Sequence, residues 1–378
     1  MAQGLNILWI QILILPYSLI IFYLWYSLGR KRQYSQKLSD SREYDTGDIQ
    51  FTIIIAVRNE ECTLPTLISD LKNLNYPSGK HEIIISDDNS DDNTGLILQG
   101  VAGERENIKV IRSDGTGKKA AINSAIKLVT EGYIITTDAD CRIDPQWLHG
   151  IAGICKITGA ELVIGEVDIK DSRGLFSKML NLEYLSLQAV TAATAWSGHP
   201  VLCSGANLCF KKDSVSDYLN IVRGEIASGD DMFLLHDIKR RNGKIVFSSD
   251  ETTRVVTGTP ISLRTFIRQR MRWAGKGLRY RDTDTIVLAS LVFITNALII
   301  ATLALATVYP RFLMGAGLLF LWKSITDLTL LSRYARQRNR LRLLICFIPV
   351  QLIYPFYIVI STVFGFLLSP RWTIDRTG

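Results

Sequence analysis

The sequence predicts an α/β fold, a mostly parallel, doubly wound sheet set between apolar segments that span a membrane. Two observations carry this prediction. Short apolar runs alternate with amphipathic stretches between residues 51 and 258, the signature of strands separated by crossover helices. Long charge-free or nearly charge-free runs flank that region on both sides.

Taken in order, residues 5–28 contain no charge and are followed at once by Gly29, Arg30, Lys31 and Arg32, as in a membrane helix ending on the cytoplasmic side. No basic segment precedes this run, as a cleaved signal peptide would require, so residues 1–29 are expected to form a retained anchor. Residues 51–57, 82–86, 108–111, 133–136 and 161–167 read as strands, several of them too apolar for a sheet with a solvated face. Residues 63–74 and 118–129 have helical spacing. Ligands bind such sheets beyond the carboxyl ends of the strands, so the residues after each strand are the ones that bear on function.

After Arg281 the chain turns apolar again, and residues 286–308, 312–331 and 341–368 are each long enough to span. Pro349 and Pro355 interrupt the last run, which allows one kinked span, an interfacial piece followed by a span, or a re-entrant hairpin. The expected domains are an anchor over 1–29, a central domain over 48–280 and a membrane region over 284–370 with about three segments. Residues before Leu5 include no Lys or Arg, which places that end outside and the central domain in the cytoplasm. Three further spans would put the C-terminus outside, against which Arg371 and Arg376 argue.

Composition fits this plan. At 378 residues there is room for two domains, and a hydrophobic fraction of 47% with mean hydropathy +0.16 is high for a purely soluble protein. The net charge of +7 comes largely from clusters beside apolar runs, Arg30 to Arg32 and then Arg333, Arg336, Arg338, Arg340 and Arg342. Such clusters suit anionic lipid head groups rather than nucleic acid, since no aromatics interleave with them on a soluble face. The six cysteines form no CxxC pair and have no histidine at zinc spacing, which points to reduced thiols in a cytosolic compartment.

Four constellations could bear chemistry. Asp87, Asp88, Asn89, Ser90 and Asp91 follow a strand and suit either a nucleotide's base and ribose or an ordinary polar turn. Asp138 and Asp140, one small residue apart after the next strand, can hold a divalent cation from one side while a diphosphate holds it from the other. Asp230 and Asp231 precede an apolar helical run. Their spacing favours a helix cap and first-turn pair, and equally permits one to be a general base. Gln269, Arg270, Met271, Arg272 and Trp273 offer a planar fork suited to phosphate and a large aromatic face, or else an interfacial belt with no substrate. Gly115 to Lys118 lacks full P-loop spacing, and the four histidines have no nucleophile partner, so neither a Walker-type nucleotidase nor a hydrolase triad is indicated.

The order of these constellations resembles the membrane-bound branch of glycosyltransferase family 2. These are inverting enzymes of the Rossmann-like GT-A fold that include ceramide glucosyltransferase and the chitin-oligosaccharide, poly-N-acetylglucosamine, hyaluronan and cellulose synthases. The resemblance covers roughly residues 52–280. Its opening strand and loop appear as Ile53 to Glu60, with Arg58 in place of the commoner aromatic, and its acidic motif as Ser86 to Asp91, with Asn89 in the usual glycine position. Gly117 to Asn123 is similar to the Gly-Lys stretch near the diphosphate, Asp138 and Asp140 to the DxD, and Ser204, Gly205, Ala206 and Asn207 to the loop beside the acceptor. Asp231 matches the catalytic aspartate, preceded here by Asp230 rather than Glu, and Gln269, Arg272 and Trp273 match QxxRW in full.

The resemblance implies a transfer that inverts the anomeric carbon of a nucleotide sugar, with UDP as the expected nucleotide. Asp87 or Asp88 would hold the uracil and ribose, and Asp138 and Asp140 would hold Mg²⁺ or Mn²⁺ at the diphosphate together with Lys118. Asp231 would be the base, Gln269 and Arg272 would face the leaving diphosphate, and Gly205, Asn207 and Trp273 the acceptor. About four membrane segments and no appended domain lean toward a lipid acceptor over a growing glycan; an inactive scaffold of the same fold is the third reading. An integral membrane protein, in the inner membrane if the source is bacterial, with its catalytic domain in the cytoplasm, is the expected setting.

Overall fold

The strand Phe51–Val57 (β1) is apolar at every position but Thr52, and all but one of its residues are buried, so it can only sit in the middle of a sheet covered on both faces. The computed structural model describes residues 12–30, 47–171, 174–215, 217–223, 229–258 and 262–368. They fall into two compact units, one holding the described residues of 31–170 and 200–258, the other those of 1–30, 171–199 and 259–370.

The first unit is the α/β sheet. Its strands are β1, His81–Asp87 (β2), Ile108–Arg112 (β3), Tyr133–Thr136 (β4), Leu162–Gly165 (β5), Val167–Ile169 (β6), Leu208–Lys211 (β7), Ile245–Ser248 (β8) and Val255–Thr257 (β9). Seven form one sheet in the order β3-β2-β1-β4-β7-β5-β8, while β6 and β9 make a separate parallel pair. The pairs β1–β2, β2–β3, β1–β4 and β5–β8 are parallel; β7 is antiparallel to both β4 and β5. The sheet is therefore mostly parallel, as expected, with one antiparallel strand that the periodicity did not announce. Residues 161–167, read as one strand, divide at the buried Glu166 into β5 and β6, which belong to different sheets.

The helix expected over 63–74 occupies Leu64–Lys72, with Pro65 in its first turn, where a missing N–H costs nothing. The one expected over 118–129 occupies Lys118–Ile126 and packs on β1 and β2. Helices Thr94–Val101 and Trp147–Thr158 complete the crossovers. Trp147 is fully buried, and its indole N–H donates to Asn207 Oδ1 at 3.3 Å. The Asn207 amide in turn donates to the carbonyls of Glu166 and Thr253, both at 2.8 Å. Its carboxamide lies over Gly165, where an added Cβ would come within 2.2 Å of it, so a side chain at 165 and this amide exclude each other.

The second unit is helical. It comprises Leu15–Ser27, Leu175–Trp196, Leu263–Gly275, Thr283–Ala306, Arg311–Gln337 and Phe347–Leu368. Residues 171–199 and 259–280, expected within the central domain, group here with the apolar helices. Among the described residues, three helical stretches are long and apolar enough to cross a membrane, Thr283–Ala306, Arg311–Gln337 and Leu341–Leu367. In the last, a 3₁₀ turn over Leu341–Cys346 runs directly into Phe347–Leu368 with Pro355 inside it, so neither proline breaks the run into a hairpin. Of the expected N-terminal segment 5–28, residues 5–11 lie outside the described residues, and Leu15–Ser27 is helical.

Arg311–Gln337 carries Lys323 and Asp327 in its apolar stretch, four residues apart on one face. The Lys323 ammonium donates to Asp327 Oδ2 at 2.6 Å and to Gln351 Oε1 at 3.0 Å. Gln351 Nε2 returns to Asp327 Oδ2 at 2.9 Å, and Tyr17 donates to Asp327 Oδ1. Three helices thus satisfy one buried ion pair, the condition for keeping charge inside an apolar layer.

Asp327→Ala strands that ammonium and should cost roughly 3–5 kcal/mol, read as a lowered unfolding temperature in detergent, whereas Lys323→Met with Asp327→Leu together should recover most of the loss. Asn207→Ala leaves the Trp147 N–H and the Thr253 carbonyl without their partner, at about 1–3 kcal/mol each, while the Glu166 carbonyl keeps its bond from Val255 N, and should show in chemical denaturation as a clear loss of stability.

Candidate active site

The register of the sheet lines up the chemistry-bearing residues. Val57 on β1 pairs with Asp87 on β2, which pairs with Arg112 on β3, so the two inner strands end level. Backbone bonds continue past the ladder, from Asp88 N to the Val57 carbonyl at 2.9 Å and from Ser113 N to that of Asp87 at 2.9 Å. The loops beyond are laced together: Asn59 N donates to Ser90 Oγ, Asp91 N to Asn59 Oδ1 and Glu60 N to Thr94 Oγ1. Asn89, in the position where the resemblance expects glycine, sits at φ +56°, a left-handed conformation that asparagine tolerates better than most residues.

The two neighbouring aspartates do different things. Asp87 Oδ1 accepts from the backbone N–H and the hydroxyl of Ser90, at 3.1 and 2.6 Å, and closes the turn. Asp88 is buried, with 2% of its surface exposed. Its Oδ1 accepts from Gly117 N at 2.8 Å, while its Oδ2 has no hydrogen-bond donor among the described residues and lies 3.6 Å from the Arg58 guanidinium. Gly117 has φ +96°, so the turn that brings its N–H onto Asp88 and launches the next helix favours glycine there.

Lys118 opens that helix and reaches across to β4. Its ammonium lies 2.5 Å from Asp138 Oδ1, two residues beyond the end of β4. Burial works against the charge, but the carboxylates of Asp138, Asp230 and Asp231 outweigh it and hold the Lys118 pKa above that of an ordinary lysine. Asp230 and Asp231 form the first turn of helix Asp230–Arg240, where negative charge is favoured. Gly229, at φ +90°, is the cap residue, so neither aspartate is spent as the cap. Asp231 Oδ2 accepts from the backbone N–H of Gly205 at 3.2 Å, which aims the carboxylate. A Cβ built on Gly205 would lie 3.7 Å from Lys118 Nζ, 3.8 Å from Asp230 Oδ2 and 3.9 Å from Asp231 Cβ, so four expected site residues, 118, 138, 205 and 231, gather with Asp230 in one place. Tyr218, which the sequence reading did not single out, is buried close enough that burial and then the Asp230 and Asp231 charges push its phenol pKa up.

Asp140 follows Asp138 through the buried Ala139 and accepts at Oδ2 from the Thr257 hydroxyl at 3.2 Å. Between the aspartates and the core, the Cys141 thiol is pushed up by burial, then by the Asp138 and Asp140 charges, and stays protonated. Two half-exposed carboxylates form a hard oxygen donor set that fits Mg²⁺ or Mn²⁺, which take few protein ligands and complete their shell with phosphate and water. No group of three or more His, Cys, Asp or Glu at metal spacing occurs among the described residues.

One expectation is corrected. Asn207, expected to face the acceptor, has 1% of its surface exposed and commits its amide to Trp147, Glu166 and Thr253, so it is a core tie rather than an acceptor contact.

Gln269, Arg272 and Trp273 lie in the helical unit, on Leu263–Gly275, a helix capped by Ser262 through Thr265 N. Positions 269, 272 and 273 are spaced i, i+3, i+4 and so share one helix face. The buried member of the motif is Arg270. Its guanidinium pairs through two nitrogens with Glu183, whose Oε1 also accepts from Tyr357 at 3.1 Å. Arg270 lies 4.1 Å from the centre of the Trp273 ring and 4.9 Å from that of Phe266, so one face of Trp273 is engaged within the protein.

Residues 52–219 match the family model described as glycosyl transferase family 2. The chain is 36% identical over 124 residues to a beta-monoglucosyldiacylglycerol synthase of Trichormus variabilis, a match spanning 32% of this chain and 25% of that protein. It is 29% identical over 170 residues to a poly-beta-1,6-N-acetyl-D-glucosamine synthase of Staphylococcus aureus, 44% of this chain and 40% of the other. The chain thus spans well under half the length of either relative. Among solved structures it is similar to the mannosyltransferase PcManGT of Pyrobaculum calidifontis in complex with GDP-Man and Mn²⁺, at TM-score 0.49 and 14% identity over 94% of this chain and 99% of that one. A likeness to S. aureus TarS 1–349 in complex with UDP has TM-score 0.45 and 18% identity over 64% of this chain and 69% of that one. The similarity to glycosyl transferase family 2 thus lies in residues 52–219, a little under half of the chain.

Proposed function

We propose that this chain is a membrane-integral, inverting glycosyltransferase that moves a sugar from a UDP-sugar to the hydroxyl of a membrane lipid. The observation that carries this reading is the gathering of Lys118, Asp138, Asp230, Asp231 and Gly205 in one α/β unit, with Asp88 beside the same Gly-Lys turn. A family 2 domain supplies the reaction class, and a relative named for a glucosylated diacylglycerol favours a lipid acceptor.

In this mechanism Asp88 Oδ2, a buried acceptor with no donor of its own among the described residues, takes the N–H of the base. Asp138 and Asp140 would hold Mg²⁺ or Mn²⁺, which would supply positive charge at the diphosphate. The Lys118 ammonium adds charge at the same place and opposes the build-up on the leaving group. Asp231, aimed by Gly205 N–H, accepts the acceptor's proton as that oxygen attacks the anomeric carbon and the bond to the diphosphate breaks. Gln269 and Arg272 are assigned to the diphosphate and Trp273 to the acceptor on the motif. The three apolar helical stretches keep the enzyme at the bilayer, with the α/β unit on the cytoplasmic side.

The match to a poly-N-acetylglucosamine synthase, the longer of the two, supports a second reading in which the acceptor is a growing glycan. Membranes carrying the chain, incubated with radiolabelled UDP-sugars, should yield label that partitions into organic solvent; high-mass insoluble label would decide for the glycan. Metal-stimulated release of sugar from the nucleotide by purified protein separates both from an inactive scaffold.

Asp231→Asn removes the proton acceptor and keeps the shape, so transfer should fall by at least about 100-fold while UDP still binds, as titration calorimetry would read. Turnover like that of the unaltered protein would refute the assignment of the base.

A further inference from the structure

Asp140 is held by a strand that lies far from it in sequence. β9 pairs in parallel with β6, and its middle residue Val256 exchanges two backbone hydrogen bonds with Arg142, at 2.8 and 3.0 Å. Arg142 is fixed in turn by a two-point contact to Asp70, at 2.6 and 3.0 Å, and the same carboxylate accepts from Ile143 N at 3.2 Å. At the start of β9, Arg254 lies 3.5 Å from Glu166 and 3.6 Å from Asp168, the residues before and within β6. The main chain on the far side of Asp140 is therefore docked on β9, and β9 is anchored at both ends. The last residue of β9, Thr257, then donates its hydroxyl to Asp140 Oδ2. The next residue, Gly258, abuts the same oxygen, where an added Cβ would lie 3.3 Å away.

We propose that Thr257 is a positioning residue, with Gly258 beside it, that holds the Asp140 carboxylate in the orientation a divalent cation requires. The inference rests on the reading of Asp138 and Asp140 as the cation pair. A carboxylate with free rotation must be ordered when the ion binds, and a fixed donor on one oxygen removes most of that cost; outer hydrogen-bond partners of metal ligands typically change affinity by 10- to 100-fold. Thr257 touches neither donor nor acceptor in this scheme. Its effect passes through Asp140, and should appear in ion binding before it appears in turnover.

The test is Mn²⁺ titration of the purified full chain with UDP present, followed by the loss of the free-ion electron paramagnetic resonance signal. Thr257→Val keeps the shape and removes the hydroxyl, and should weaken Mn²⁺ binding on the order of 10-fold. Thr257→Ser, which keeps the hydroxyl, should stay within about 2-fold of the unaltered protein, and binding of UDP without metal should not change in either variant. Gly258→Ala crowds the same oxygen without altering β9 and should weaken Mn²⁺ in the same direction, which covers the case in which Thr257→Val fails to fold. Unchanged Mn²⁺ affinity in Thr257→Val, in Gly258→Ala if Thr257→Val does not fold, or equal weakening in the Val and Ser variants, overturns the role of the hydroxyl. No Mn²⁺ binding by the unaltered chain would instead overturn the reading of the aspartate pair itself.

Discussion

The parallel ladder that β1 makes with β2 on one side and β4 on the other is the constraint on which the candidate site depends. Parallel pairing fixes every residue of one strand opposite one residue of the next, and a slip of one position would turn each inward side chain outward. Here it sets Val57 level with Asp87, and Ile54 level with Thr136, so the polar residues after β2 and β4 emerge on the same edge. β1 has no polar side chain after Thr52, because it is buried on both faces and leaves the chemistry to the loops that follow it and its neighbours. The cost of this arrangement is a set of carboxylates crowded at one edge. Lys118, drawn up on Asp138 with Asp230 and Asp231 nearby, offsets part of that repulsion, and a bound cation would offset more.

The partners that each polar side chain meets separate the residues committed to the fold from those that line the candidate site. Asp87 closes the Ser90 turn through Oδ1, Asn207 is committed to the core, and Asp70 to Arg142. Asp88 presents a buried oxygen with no hydrogen-bond donor among the described residues, and Asp231 is aimed from behind by a backbone N–H. Acidic residues with similar sequence surroundings thus end with different duties, and the difference lies in which long-range partner reaches each of them.

This explains what the sequence disclosed and what it withheld. The strands 51–57, 82–86, 108–111 and 133–136 were legible because each is a local apolar run with a polar punctuation after it, and their ends marked most of the site. β7 was not legible, because Leu208 to Lys211 is a four-residue segment whose identity as a strand comes from pairing with β4, some seventy residues away, and with β5. The division of 161–167 was hidden for a similar reason: only the partners, β7 and β8 for one half and β9 for the other, tell the two pieces apart. Asn207 sat in a motif-like loop, and burial alone revealed it as a tie between Trp147 and two carbonyls. Thr257 carried no signal at all, because its contact with Asp140 exists only where β9 meets the loop after β4.

The pentapeptide at 269–273 shows how spacing acquires meaning only on a helix. Gln269, Arg272 and Trp273 fall on one face at i, i+3, i+4, and Arg270 beside them is buried against Glu183 while its guanidinium stacks on the Trp273 ring and donates to Gln269 Oε1. A buried, fully paired guanidinium is expensive to bring out of water and is retained where it fixes an orientation. Held by Glu183 and Tyr357 and stacked on Phe266 and Trp273, Arg270 fixes the rotation of its helix within the helical unit, and with it the direction in which the motif face points. Read this way, the motif is a face together with its anchor, and the anchor is a residue that the consensus QxxRW leaves unspecified.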